Sequence, residues 1–203
     1  MDNTSFSRRK VLKGLGAAGI ASLGSGCLNS FFGNDTEIPP ELEESMQNVE
    51  EELENKLQKY DEIIDTDKKI SVVALSQETQ DETTYTVGPI VTLADQYKDI
   101  VEDIYLKTAE KEAENHILES IKEPAYKMFN TTLKEFENNY NAEKGNIDQY
   151  EIIFQGSNDC SVKQRLDAET AEEIHGSDRE KQKYMRAFES QDKKPFFTCS
   201  IDH

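Results

Sequence analysis

The sequence predicts an α+β domain, with two β-hairpins forming a small antiparallel sheet packed by several amphipathic helices. Three observations carry that expectation. Short β-branched and aromatic runs come in two pairs, Lys69 to Glu78 with Thr83 to Val87, and Tyr150 to Gln155 with Cys160 to Leu166. Turn-forming residues separate the members of each pair, Gln80-Asp81 in the first and Gly156-Ser-Asn-Asp159 in the second. Around the hairpins, apolar residues recur every three or four positions, the period of a helix that buries one stripe. Segments ordered this way pack with the sheet on one side and the helices on the other.

Each element follows in order. Pro39-Pro40 opens the first helix, with Glu41, Glu43 and Glu44 in its first turn, where Pro costs little and acids suit the helix dipole. Its stripe runs through Leu42, Met46, Val49, Leu53, Leu57, Tyr60 and Ile64. The lack of a strict heptad favours packing on its own domain over a coiled coil. After the first hairpin, Gly88-Pro89 punctuates, and Ile90, Leu93, Tyr97, Val101 and Ile104 mark a long helix that resumes at Ile117 and Ile121 beyond a polar stretch. Pro124 is expected to break or kink it, because proline removes an amide donor and clashes with the preceding turn. Ala125, Phe129, Leu133, Phe136 and Tyr140 form another stripe. Past the second hairpin, Ala168 to His175 is a short helix stopped by Gly176. Ser177-Asp-Arg-Glu180 fits a capping box that starts the last helix, with Tyr184, Met185 and Phe188 as its buried side. Lys194 to Cys199 reads as a closing edge strand.

Charge divides the chain more sharply than periodicity does. The 203 residues hold 41 acids against 23 Lys and Arg, for a net charge of -18. Residues 1 to 26 carry Arg8, Arg9, Lys10 and Lys13 against Asp2, a charge of +3, so the remainder carries −21. That sign opposes nucleic acid phosphates and anionic lipid surfaces as partners. Strong acidity with 35% hydrophobic residues also resembles the composition of disordered chains. Clusters such as Ile70-Ser-Val-Val73 and Tyr150-Glu-Ile-Ile-Phe154 argue for a folded body instead.

Ser7-Arg8-Arg9-Lys10-Val11-Leu12-Lys13 is a charged start followed by a run of Gly, Ala, Leu, Ile and Ser from Gly14 to Gly26. A run of that length is too short to span a bilayer core of about 30 Å and reads as a targeting segment. It resembles the twin-arginine export signal around Arg8 and Arg9, departing by Val11 where Phe is typical. Leu23-Gly-Ser-Gly-Cys27 resembles a lipobox, with the apolar Leu23 one position early. The resemblance implies a signal peptide over residues 1–26, lipidation of Cys27, a flexible tether over residues 27–38 and a single acidic domain over residues 39–203. A two-chain lipid suits an anchor, since at about 0.8 kcal/mol per buried CH₂ one chain holds only marginally.

Together with the acidic body, these motifs resemble the exported lipoproteins of haloarchaea. Positive charge carried mostly by Lys departs from the halophile habit. The resemblance implies a protein on the extracytoplasmic face of the cell membrane, anchored through Cys27. Physics fits that habitat. In about 1 M salt the Debye length falls to about 3 Å, so the excess carboxylates repel weakly, whereas dilute buffer sets them against compaction. Circular dichroism is expected to show structure lost between multi-molar and low-millimolar salt; an unchanged spectrum would refute this.

Few residues suggest chemistry. Asn34-Asp-Thr36 and Asn130-Thr-Thr132 are N-glycosylation sequons. Once Cys27 is assigned to lipid, Cys160 and Cys199 either pair, which an oxidising compartment favours, or stand as separate thiols. His116, His175 and His203 are far apart in polar settings and read as surface residues, with no metal-ligand spacing and no cofactor motif. Two functions fit: a non-catalytic surface lipoprotein that binds an envelope protein or a small ligand, or an extracytoplasmic enzyme, hydrolytic or thiol-dependent.

Overall fold

The computed structural model describes residues 12–13, 38–78, 83–139 and 147–200. It is an α+β fold. The strands are β1 (Leu12–Lys13), β2 (Ser71–Glu78), β3 (Thr83–Thr92), β4 (Ile147–Gln155), β5 (Cys160–Asp167) and β6 (Phe196–Cys199). They form one sheet in chain order, with the two-residue β1 at one edge. The helices are α1 (Pro40–Leu57, continued by a 3₁₀ turn to Tyr60), α2 (Asp95–Tyr105), α3 (Lys111–Asn139), α4 (Ala168–His175) and α5 (Glu180–Glu189).

Both hairpins form as expected, but the sheet is mixed. β2 pairs antiparallel with β3, and β4 with β5, while the hairpins join through a parallel β3–β4 pairing. A parallel join needs a long crossover, and α2 and α3 supply it. Alternate strand residues, among them Ala74, Val87, Tyr150, Ile152, Phe154 and Val162, share one core with the apolar stripes of the helices.

The segment after the first hairpin departs most from expectation. β3 runs through Gly88-Pro89 to Thr92, so Ile90 belongs to a strand and Leu93 to an isolated bridge with Ile64, and the helix begins only at Asp95. Proline is rare in a central strand because it cannot donate to the ladder. Here the β3–β4 pairing lapses between Val87–Tyr150 and Ile90–Ile153 without a change of register, so Pro89 falls where the ladder is interrupted. At that gap a Cβ on Gly88 would lie 1.7 Å from the Glu151 carbonyl oxygen, a backbone approach only glycine permits.

Pro124 likewise ends nothing. It lies inside α3, with Ile117 and Ile121 before it and Ala125, Phe129, Leu133 and Phe136 after it, all buried. An interior proline costs about 3 kcal/mol, and burying four or five large apolar side chains at 1.5 to 3 kcal/mol each outweighs it. The helix expected to run from Ile90 instead breaks after α2, where Lys107 takes a left-handed φ of 58° and donates its N–H to the Ile104 carbonyl. The capping box fails as well. The N-cap of α5 is Arg179, whose N–H donates to Ser177 Oγ, and Glu180 is drawn into tertiary contacts.

Two buried polar side chains find partners in the core, whereas the buried Ser76 Oγ accepts and donates no hydrogen bond among the described residues. Gln164, which interrupts the apolar face of β5, accepts from the buried Tyr184 hydroxyl at 2.5 Å and donates to the Lys193 carbonyl at 3.1 Å. Glu50 of α1 is buried and accepts the Val72 N–H at 3.0 Å, with the Lys69 ammonium 3.5 Å from its other oxygen. α1 thereby occupies a backbone donor of β2, one way to protect a strand near a sheet margin.

Candidate functional site

One end of the sheet is closed covalently. Cys160 opens β5, Cys199 ends β6, the two are register partners, and their sulfurs are joined in a disulfide. Just before Cys160, Asn158 and Asp159 both take positive φ, 51° and 56°, as the central pair of a tight two-residue turn requires. Asn and Asp accept that conformation more readily than most residues. The turn is closed by Cys160 N–H donating to the Ser157 carbonyl at 2.9 Å.

α2 fixes the turn from the side. The Lys98 carbonyl accepts the Ser157 N–H at 3.2 Å, and Asn158 Nδ2 donates to Glu102 Oε2 at 2.6 Å. Between α2, the turn and the end of β6 lies a cleft of about 360 Å³, lined by Glu102, Tyr105, Leu106, Asp159, the disulfide and Ser200. That volume falls in the range of small-ligand sites. Leu106 is half exposed at its mouth. Two carboxylates beside an aliphatic and an aromatic side chain suit a ligand with an apolar part and a cationic or hydrogen-bonding part. Both thiols are consumed in the disulfide, so the cleft offers no sulfur nucleophile.

A second cluster joins α3, α4 and α5. His175, at the end of α4, places Nε2 2.8 Å from Glu137 and Nδ1 3.6 Å from Glu180. Glu180 also accepts from Tyr126 at 3.3 Å and from the Asn130 amide. His175 is therefore half-buried between two carboxylates and is not the free surface residue its sequence setting suggests. No spacing could have revealed this, because Glu137 lies on a different helix. His116 packs against the Tyr97 ring with centroids 6.0 Å apart.

Asn130 lies in mid-α3 beside the buried Thr131 and Thr132, and a glycan on its amide would have to displace the bond to Glu180. Arg8, Arg9, Cys27, Asn34 and His203 lie outside the described residues. Among the described residues no cluster of His, Cys, Asp and Glu can hold a metal ion, and no helix is long and apolar enough to cross a membrane.

Three phenols give the helical layer a measurable signature. Burial, then the charge of Glu180, pushes Tyr126 up to about 12. Burial, reinforced by Glu137 and Glu172, raises Tyr150 further, and burial alone raises Tyr184. The unfolded chain ionises these phenols near pH 10. Their contribution to stability is thus complete below that pH and is lost as pH climbs through the folded-state values. An alkaline titration is expected to show three of the eight tyrosines ionising only together with loss of the circular dichroism signal. Phenolate absorbance that rises fully before unfolding would contradict this.

The architecture defines an α+β domain with a mixed sheet, a helical layer and one disulfide. Compared with known proteins, the chain matches no family model, no curated protein and no solved structure.

Proposed function

We propose that the chain is an exported lipoprotein of a halophile, anchored through Cys27 on the extracytoplasmic face of the cell membrane, whose domain binds an envelope protein or a small ligand without catalysis. The observation that carries this reading is the pairing of Cys160 with Cys199. It suits an oxidising compartment and leaves Cys27 as the one cysteine of three not engaged in that bond, as lipidation requires. Arg8 and Arg9 supply the export signal, and residues 27–38 supply the tether. The cleft beside the disulfide is the place for a small ligand.

Mass spectrometry of the envelope-bound protein tests the anchor. The expected N-terminal peptide begins at a lipid-bearing Cys27, and an unmodified Cys27 would overturn it. Crosslinking in intact envelopes, together with ligand screening of the purified domain, tests the binding role. Loss of both signals when Leu106→Asp alters the cleft mouth would assign them to the cleft. The enzymatic reading has one observation in its favour, the imidazole of His175 held between two carboxylates. Substrate turnover abolished by His175→Gln would favour it.

A further inference from the structure

The cleft between α2, the Asn158-Asp159 turn and the end of β6 has unbalanced charge. Glu102 and Asp159 both line it, and among the described lining residues none is Lys, Arg or His. The one lysine of α2, Lys98, gives the turn only its carbonyl, while its ammonium is held by Asp95 at 2.7 Å and Asp65 at 3.2 Å. One Glu102 oxygen accepts from Asn158 Nδ2; the other, and the whole Asp159 carboxylate, take no partner among the described residues. Ser200 N–H donates to the Asp159 carbonyl at 3.2 Å, so this residue is fixed through its backbone and its carboxylate stays unoccupied. Tyr105, Leu106 and the disulfide supply the less polar side of the cleft.

We infer that this cleft is a binding site for a small primary amine, taken as its ammonium ion with several carbons of hydrocarbon attached. The inference rests on the reading of the cleft as the ligand site and adds the ligand's class. An anion would meet two uncompensated carboxylates, and a neutral ligand would strip water from them without returning a charged partner. An ammonium supplies three N–H donors to carboxylate oxygens, and each such bond is charge-assisted. A quaternary cation lacks those donors and is held by cages of aromatic rings, whereas Tyr105 is the one ring among the described lining residues. Calcium takes about six to eight oxygen ligands, and the described residues hold no cluster of three or more metal-ligating side chains. A volume of about 360 Å³ exceeds what an ammonium group fills, which leaves room for hydrocarbon against Tyr105 and Leu106.

Titration calorimetry of the full chain, with its disulfide intact, tests the inference. In about 1 M sodium chloride the Debye length is about 3 Å, so diffuse attraction of cations to the acidic body is screened and contact pairs remain. Hexylammonium chloride is expected to bind at one site, at least about tenfold more tightly than hexanol or sodium hexanoate. Glu102→Gln and Asp159→Asn are each expected to weaken it about tenfold. Both keep the side-chain shape, and asparagine accepts the positive φ at position 159. Ethylammonium is expected to bind several-fold more weakly than hexylammonium, a gap that Leu106→Ala narrows. Carbodiimide coupling of hexylamine, read by peptide mass spectrometry, is expected to label Glu102 or Asp159 ahead of the other acids, which locates the site even if a variant fails to fold.

Hexanol binding as tightly as hexylammonium would overturn the inference, as would full binding by a Glu102→Gln/Asp159→Asn chain or label spread evenly over the acids. Calcium chloride that displaces hexylammonium at lower concentration would overturn it in favour of a metal ion. Tighter binding of Nα-acetyl-lysine amide would overturn it in favour of a lysine side chain on a partner protein. A neutral or anionic compound whose binding Leu106→Asp abolishes would overturn the amine and leave the cleft as the ligand site. Absence of any ligand at the cleft would sink the reading beneath it, so the two failures are told apart.

Discussion

Gly88→Ala is expected to abolish folding, with a cost above about 4 kcal/mol, the range kept for substitutions that the native backbone cannot accommodate. The reason is geometric. The new methyl would lie 1.7 Å from the Glu151 carbonyl oxygen and 2.7 Å from its carbon, and both belong to the backbone of β4, which cannot rotate away as a side chain would. Relief would require parting β3 from β4, the one pairing that joins the two hairpins. Gly176→Ala is the control. Its added methyl meets its nearest atom, the Glu172 carbonyl oxygen, at 3.4 Å, and its φ of −67° suits alanine. It is expected to be neutral or to stabilise by up to about 1 kcal/mol. Urea unfolding of both variants checks the pair, and a Gly88→Ala protein with wild-type stability would refute the close approach.

The second large effect belongs to the disulfide. Reducing it, or replacing both cysteines by serine, is expected to lower stability by about 3 to 4 kcal/mol, the chain-entropy value for a closed loop of this length. Cys160 and Cys199 are 39 residues apart in sequence. The loop they close contains α4 and α5 and carries the Lys193 carbonyl that Gln164 uses. Paired denaturant curves with and without reductant measure the difference. Agreement within about 0.5 kcal/mol would show that β6 is held without the bond. The alkaline titration of the tyrosines is expected to shift to lower pH in the reduced protein, because a less stable fold releases its phenols sooner.

What could be read from the sequence was what is local. The stripe from Leu42 to Leu57 is α1, the runs on either side of Gly156 to Asp159 are β4 and β5, and Phe196 to Cys199 is the closing strand. Rules of thumb about proline misled twice for one physical reason. Gly88-Pro89 sits where the β3–β4 pairing lapses, and Pro124 sits where a long apolar stripe continues on both sides, so tertiary packing decided each case. The parallel β3–β4 pairing was invisible because a crossover leaves no local mark. The cluster around His175 was hidden similarly, since Glu137, His175 and Glu180 meet only when three helices assemble.

That parallel pairing also divides folding in time. Each hairpin closes a short loop, and such pairings form in microseconds. Joining β3 to β4 instead requires closing the whole span of α2 and α3, an entropic cost that is met before any contact repays it. The two halves of the sheet are therefore expected to appear early and separately, with the seam at Gly88 and Glu151 as the late, rate-setting event. Substitutions at that seam should slow folding, whereas those at the Asn158-Asp159 turn should mainly alter the early phase.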